Sequence, residues 1–216
     1  MNKLFDARML THSVVLTVLA ATLSGCAPLI LGGAMVGSGL VITDRRTTGI
    51  QVEDQAIELK AAVRVRELAT LGRVDVTSYN RIVLLTGEVP AAADRVAVEK
   101  VVAGVENVRS VVNELTVGDK PSLAARSNDA LLAGKVKATF VDTKDVQANA
   151  YKVVVERGVV YLMGRVSERE AQRGTEIARS VSGVLKVVRV FEILTDAELA
   201  TLGTGAAPAP SAPAPR

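Results

Sequence analysis

The sequence predicts an α+β fold: two tandem units, each α-β-β-α-β, with a three-stranded mixed sheet covered by two helices. Two observations carry this. The segment Arg81-Ile-Val-Leu-Leu-Thr-Gly87-Glu-Val-Pro90 returns as Gly158-Val-Val-Tyr-Leu-Met-Gly164-Arg-Val-Ser167. Each of these strand patterns is also preceded by another, with a turn too tight for anything but a hairpin between them.

The elements follow in order. A helix is expected at about 54–68 in the first copy and 129–141 in the second. Val74 to Tyr79 alternates, and Tyr151 to Glu156 roughly does so, as strands with one face inward. Asn80-Arg81 and Glu156-Arg157-Gly158 make the joins, where Asn or Gly takes a positive φ. After the second strand, Pro90 suits a first helical turn, with a helix continuing over 91–102. Its counterpart opens on Ser167-Glu168-Arg169-Glu170, a capping box, and runs over 171–181. Strands at 108–117 and 187–194 close the copies by β-α-β crossovers between parallel strands. Each copy spans about 65 residues, so its own core is limited, and the two are expected to support each other by packing. The predicted boundaries are 51–118 for the first unit, 119–126 for a linker and 127–195 for the second unit. An Ala/Pro-rich disordered tail is expected over 196–216.

The N-terminus has a different logic. Lys3 and Arg8 precede a short apolar run, Val14 to Ala21, that ends in Leu23-Ser24-Gly25-Cys26. This is a bacterial lipobox: a signal peptide over 1–25, with Cys26 as the site of covalent diacylglycerol and N-acyl lipid. Several acyl chains on one residue anchor stably, where one does not. The apolar run is too short for a membrane-spanning helix, which needs about 20 residues. Residues 26–50 are expected to be a lipidated, flexible segment. Its Gly32-Gly33-Ala34-Met35-Val36-Gly37-Ser38-Gly39 lacks the Lys and the strand-helix context of a phosphate loop.

Cleavage at Cys26 removes the chain's single histidine, His12, and lipidation consumes its single cysteine. That excludes zinc sites of His or Cys and nucleophile pairs of the Ser-His or Cys-His kind. No catalytic residue, metal or cofactor beyond the attached lipid is expected. Glu168 and Glu170 are near each other, but Glu170 is accounted for by the capping box. An aromatic content of 3% leaves few platforms for nucleic-acid bases.

Two units ending their second strand in Leu85-Thr86-Gly87-Glu88-Val89 and Leu162-Met163-Gly164-Arg165-Val166 resemble BON domains. The full order is lipobox, Asp44-Arg45-Arg46-Thr47-Thr48-Gly49, first unit, Ser127-Asn128-Asp129, second unit. That order is similar to the dual BON-domain outer-membrane lipoproteins of the DolP (YraP) family. The most specific stretch is Tyr161 to Ala171 with Val181-Ser182-Gly183-Val184. The Ala/Pro tail departs from the pattern, as does Asn107, which stands where the second copy has Gly183. The resemblance implies a non-enzymatic protein on the periplasmic face of the outer membrane. It would bind anionic phospholipid, concentrate at the division site, and support envelope integrity and peptidoglycan amidase regulation.

The residues offer their own contact candidates. On the helix from Asp129, Leu132, Val136 and Phe140 share one face and read as core. Leu131 falls about 100° away from that face, with Lys135 one turn on. An exposed Leu beside a Lys suits a membrane surface carrying anionic headgroups. Leu131, Lys135 and Lys137 are therefore the phospholipid-contact candidates. The position matching Leu131 in the first copy is Ala56. Residues 54–117 hold eight Lys/Arg against nine Asp/Glu, and 127–194 hold eleven against eight. The second copy is thus the one suited to an anionic surface. The alternative reading is a structural adaptor: the BON units bind an envelope protein partner, and the lipid is only a tether.

Overall fold

The computed structural model describes residues 44–68 and 72–202. The lipobox with Cys26, the 27–43 segment and the 206–216 tail lie outside the described residues. Among those described are five helices and two mixed sheets.

The first unit comprises α1 (Thr48–Glu67), β1 (Arg73–Tyr79), β2 (Ile82–Val89), α2 (Ala92–Ala103), β3 (Ser110–Asn113) and β4 (Thr116–Val117). The second comprises α3 (Leu123–Asp142), a 3₁₀ turn (Ala148–Ala150), β5 (Lys152–Glu156), β6 (Val159–Val166), α4 (Glu168–Ser180) and β7 (Lys186–Ile193), followed by α5 (Asp196–Leu202). In each unit the middle strand pairs antiparallel with the strand before it and parallel with the one after the crossover helix. In the first unit the last strand breaks at Glu114-Leu115 and resumes as β4, still paired with β2.

Both hairpins turn on two residues. Asn80 and Arg81 have φ of 50° and 67°, and Arg157 and Gly158 of 52° and 72°. Two consecutive left-handed residues match the twist of the flanking strands. The repeated glycine has a steric reason. A Cβ on Gly87 would lie 2.1 Å from the Arg73 carbonyl oxygen, and one on Gly164 would lie 2.3 Å from that of Ala150. A backbone carbonyl of the chain entering the hairpin presses against the middle strand at this point, and only hydrogen leaves room for it.

Four boundaries differ from the expectation. α1 and α3 each begin six residues earlier, capped by the hydroxyls of Thr47 and Ser122, which accept from Ile50 N–H and Ala125 N–H. The expected linker over 119–126 is therefore helical from Leu123, and the segment expected to be flexible over 26–50 includes the start of a helix at Thr48. Asp54 and Asp129 lie inside the helices, at equivalent positions, and both are buried. Asp54 accepts from Asn80 N–H and Arg81 N–H, and Asp129 from Arg157 N–H and Gly158 N–H, all within 2.9 Å. Each carboxylate thus caps a hairpin turn and locks it to the first helix of its unit. In α2 the cap is Ala91, so Pro90 precedes the helix. The tail expected to be disordered from 196 starts with α5. Thr195 and Glu198 form a capping box there, with Glu198 accepting from Thr195 N–H at 2.8 Å.

The core has three layers. Val83, Leu85 and Val89 of β2 meet Ile57, Ala61 and Val65 of α1 and Val98 and Val102 of α2. In the second unit, Val160, Leu162 and Val166 of β6 meet Leu132, Val136 and Phe140 of α3 and Ile177 and Ala178 of α4. The alternate residues of the same strands make the third layer: Tyr79 and Leu84 from one sheet pack with Tyr161, Met163 and Val190 from the other. The sheets lie face to face, so the middle strands are apolar on both sides and read as nearly continuous hydrophobic runs. The expectation that the copies support each other by packing holds.

Polar contacts edge this third layer. Lys152 Nζ donates to Glu58 Oε1 at 2.9 Å and to the Ser78 carbonyl at 3.0 Å. Arg73 pairs with Glu156 at 3.0 Å. Glu88 is fully buried, and among the described residues neither of its carboxylate oxygens is hydrogen-bonded; Arg157 stands 3.7 Å away. Burial pushes its carboxyl above the usual range, against the opposing pull of Arg157 and Arg73. Because the folded value is raised, protonated Glu88 favours the fold, and that contribution is lost as pH rises through the folded value. Glu88→Gln is therefore expected to raise Tm at pH 8 and to change it little at pH 4. A Tm lowered at pH 8 but not at pH 4 would mean that the carboxylate itself stabilises the fold.

Candidate functional site

The sequence ahead of α1 does more than connect. Arg45 donates to both oxygens of Glu170 at 2.6 and 2.8 Å, and to the Arg165 carbonyl at 2.8 Å. Arg46 pairs with Asp44 and Asp54 at 2.8 Å and lies 4.1 Å over the ring of Tyr79. Asp44 to Arg46 thus forms a strap fastened to both units. Glu170 also caps α4 through Ser167 N–H at 2.8 Å, and its carboxyl is held below the usual range, chiefly by the Arg45 hydrogen bond.

The second unit carries an open groove of about 420 Å³. One wall is α3, with Leu131, Leu132 and Lys135; the other is built from the hairpin turn at Arg157-Gly158 and the α4–β7 loop at Ser182 to Leu185. These parts are held together by backbone geometry. Asp129 fixes the hairpin turn to α3, and Leu185 N–H donates to the Gly158 carbonyl at 2.9 Å. Gly183 has φ of 100°, which turns the loop toward Leu132. Leu131 is 66% exposed and Leu185 79%, although both are large and apolar. Among the described residues no carboxylate pairs with Lys135, which is exposed and lines the same groove.

The first unit has the same frame with a different filling. Asp54 stands for Asp129, Lys60 for Lys135 and Ala56 for Leu131. Arg109 stands for Leu185, its N–H donating to the Arg81 carbonyl at 2.9 Å. Where the second unit has Ser182, the first has Glu106, and Lys60 pairs with it at 2.9 Å. Arg64 also donates to the Gly104 carbonyl at 2.7 Å. The equivalent lysine is thus already occupied, and the two equivalent leucines are replaced. Asn107 takes the turn at φ of 68°, a conformation Asn tolerates, so its departure from Gly183 leaves the loop intact.

Leu131 and Lys135 both line the groove. Lys137 is exposed but lies about 200° round the helix from Lys135 and does not line the groove. Sequence reasoning missed Leu185 and Arg157. Aligning the two loops, Val105-Glu106-Asn107-Val108-Arg109 against Val181-Ser182-Gly183-Val184-Leu185, exposes the first of these as a Leu-for-Arg exchange on a turn.

The BON domain family model matches residues 52–119 and 128–195, one match for each unit. The chain belongs to the BON-domain family, in its two-domain DolP branch. Outer membrane lipoprotein DolP of Haemophilus influenzae is 42% identical over 176 residues, covering 80% of this chain and 90% of that one. A 21 kDa hemolysin of Actinobacillus pleuropneumoniae is 33% identical, over 68% of this chain and 78% of its own. Osmotically-inducible protein Y of Escherichia coli is 31% identical, over 63% and 70%. The groove falls largely within BON2 (128–195), and the strap precedes BON1 (52–119). Among the described residues no helix is long and apolar enough to cross a membrane.

Proposed function

We propose that this protein is an outer-membrane lipoprotein, anchored through Cys26, whose BON2 groove binds anionic phospholipid at the periplasmic face. The observation that carries this is Lys135, without a carboxylate partner among the described residues, on one groove with exposed Leu131 and Leu185, set against the occupied Lys60 of BON1. Inserting Leu131 into the interfacial region gains about 2 kcal/mol. A cation at an anionic surface gains about 1 kcal/mol. Arg157, 56% exposed at its side chain, adds a second positive group on the opposite wall. The relation to an outer membrane lipoprotein supports the compartment. The family resemblance extends the role to envelope integrity and to division-site processes such as peptidoglycan amidase regulation. The chemistry is binding, with no catalytic set assigned.

The test is flotation of the unacylated chain from residue 27 onward with neutral or anionic vesicles. Wild type is expected to float with anionic vesicles only, and less as salt rises. Leu131→Glu and Lys135→Glu are each expected to weaken this by on the order of 30-fold, given about 2 kcal/mol per substitution. Flotation unchanged in both variants would leave the BON units as an adaptor for an envelope protein, tethered by the lipid alone.

A further inference from the structure

A second cleft, of about 520 Å³, lies away from the BON2 groove, where the end of α1 and the start of β1 meet the connection into α3. Its rim holds Arg66, Arg73, Lys120 and Arg126, and its floor Val65 and Val74. Arg73 is already engaged by Glu156 at 3.0 Å and by Asp75. The other three are exposed, and among the described residues none has a carboxylate partner. Glu67 and Asp119, their neighbours in sequence, form no ion pair with them. Three like charges that line one cleft from a helix end, a linker and a helix start repel one another, and an anion bound among them relieves this. Lys120 falls in the interval between the two units whose charges were counted, and Arg126 at its edge, so neither entered that comparison.

We infer that this cleft is a second anion site, specific for a phosphate group, at the junction of BON1 and the linker. The chemistry of the rim selects the ligand class. Two guanidinium groups offer planar forks for pairs of phosphate oxygens, and Lys120 adds a point charge. The apolar floor at Val65 and Val74 admits the carbon skeleton attached to such a phosphate. A lipid headgroup and a free phosphate ester share this chemistry. The site uses none of the groove residues, so it stands or falls apart from the BON2 reading.

The test uses the full chain in neutral detergent micelles, in a Leu131→Glu background that disables the groove. Glycerol 1-phosphate is added in solution, and phosphatidylglycerol is separately mixed into the micelles, while the side-chain resonances of Arg66 and Arg126 are followed. At least one probe is expected to shift both resonances saturably. Lys120→Glu with Arg126→Glu, both on exposed side chains, is expected to weaken the Arg66 response tenfold or more with Tm unchanged. Equal responses to both probes assign a phosphate site open to soluble esters; a response to the lipid alone assigns a headgroup site. Unmoved resonances with both probes, or an undiminished Arg66 response in the double variant, would overturn the proposal. Failure of the BON2 reading would show instead in the Leu131 and Lys135 resonances of the parent chain.

Discussion

Leu84→Asp is expected to lower the unfolding free energy by about 4 kcal/mol or more, the range of a charge placed unpaired in a core. Leu84 is fully buried, and it faces away from its own helices. Its neighbours are Tyr79 of the same sheet and Tyr161, Met163 and Val190 of the other. Leu84→Ala, which only opens a cavity, is expected to cost about 2–5 kcal/mol. Urea unfolding of the chain from residue 27 reads both. If the sheets share a core, Met163→Asp gives a loss of the same order, and the two aspartates together cost less than their sum, because each breaks the same layer. A cost below about 1 kcal/mol for Leu84→Asp would mean that the sheets do not pack through this face.

Asp54→Ala is expected to cost about 3–5 kcal/mol, and clearly more than Asp129→Ala. The two aspartates occupy equivalent places, and each accepts from two turn amides. Asp54 also accepts from Ser78 Oγ at 2.7 Å and pairs with Arg46 at 2.8 Å. Its removal leaves two amides, a hydroxyl and a half-buried guanidinium without their shared acceptor. Hydrogen bonds hold the Asp54 carboxyl below the usual range against the opposing effect of burial, which is the larger single influence. Its contribution is therefore present above the unfolded carboxylate value and is lost as pH falls through the folded one. Thermal unfolding of both variants at pH 7 checks the ranking. Equal losses would remove the strap from the account of how the two units are held.

Much of the fold is legible in the sequence because the two copies repeat their turns. Asn80-Arg81 and Arg157-Gly158 mark the hairpins, and Ser167 with Glu170 marks α4. The starts of α1 and α3 are less legible. Asp54 and Asp129 precede apolar periodicity and look like caps, yet their partners are turn amides 26 to 29 residues away. Tertiary contact, which no local pattern contains, decides their role. The third core layer did leave a signal: Ile82 to Leu85 and Val159 to Met163 are apolar at both parities, which a one-sided strand would not be. At the groove, Leu131 is legible because it is out of phase with Leu132, Val136 and Phe140. Leu185 and Arg157 come from two turns that only the folded chain brings together. The strap is legible as a motif and opaque as a device, since Arg45 meets Glu170 across 125 residues.

The central claim is that the two BON domains share a frame and differ in whether the groove lysine is free. Ser182→Glu tests it most directly, because it gives BON2 the acidic residue that occupies Lys60 in BON1. The measurement is anionic-vesicle partition of Ser182→Glu beside Ser182→Gln, with Leu131 and Lys135 intact. The account predicts a loss of on the order of tenfold or more for the glutamate, since a cation is neutralised and a negative charge faces the headgroups. It predicts little change for the glutamine. Equal binding by both variants and the parent would contradict the claim that a free Lys135 sets BON2 apart.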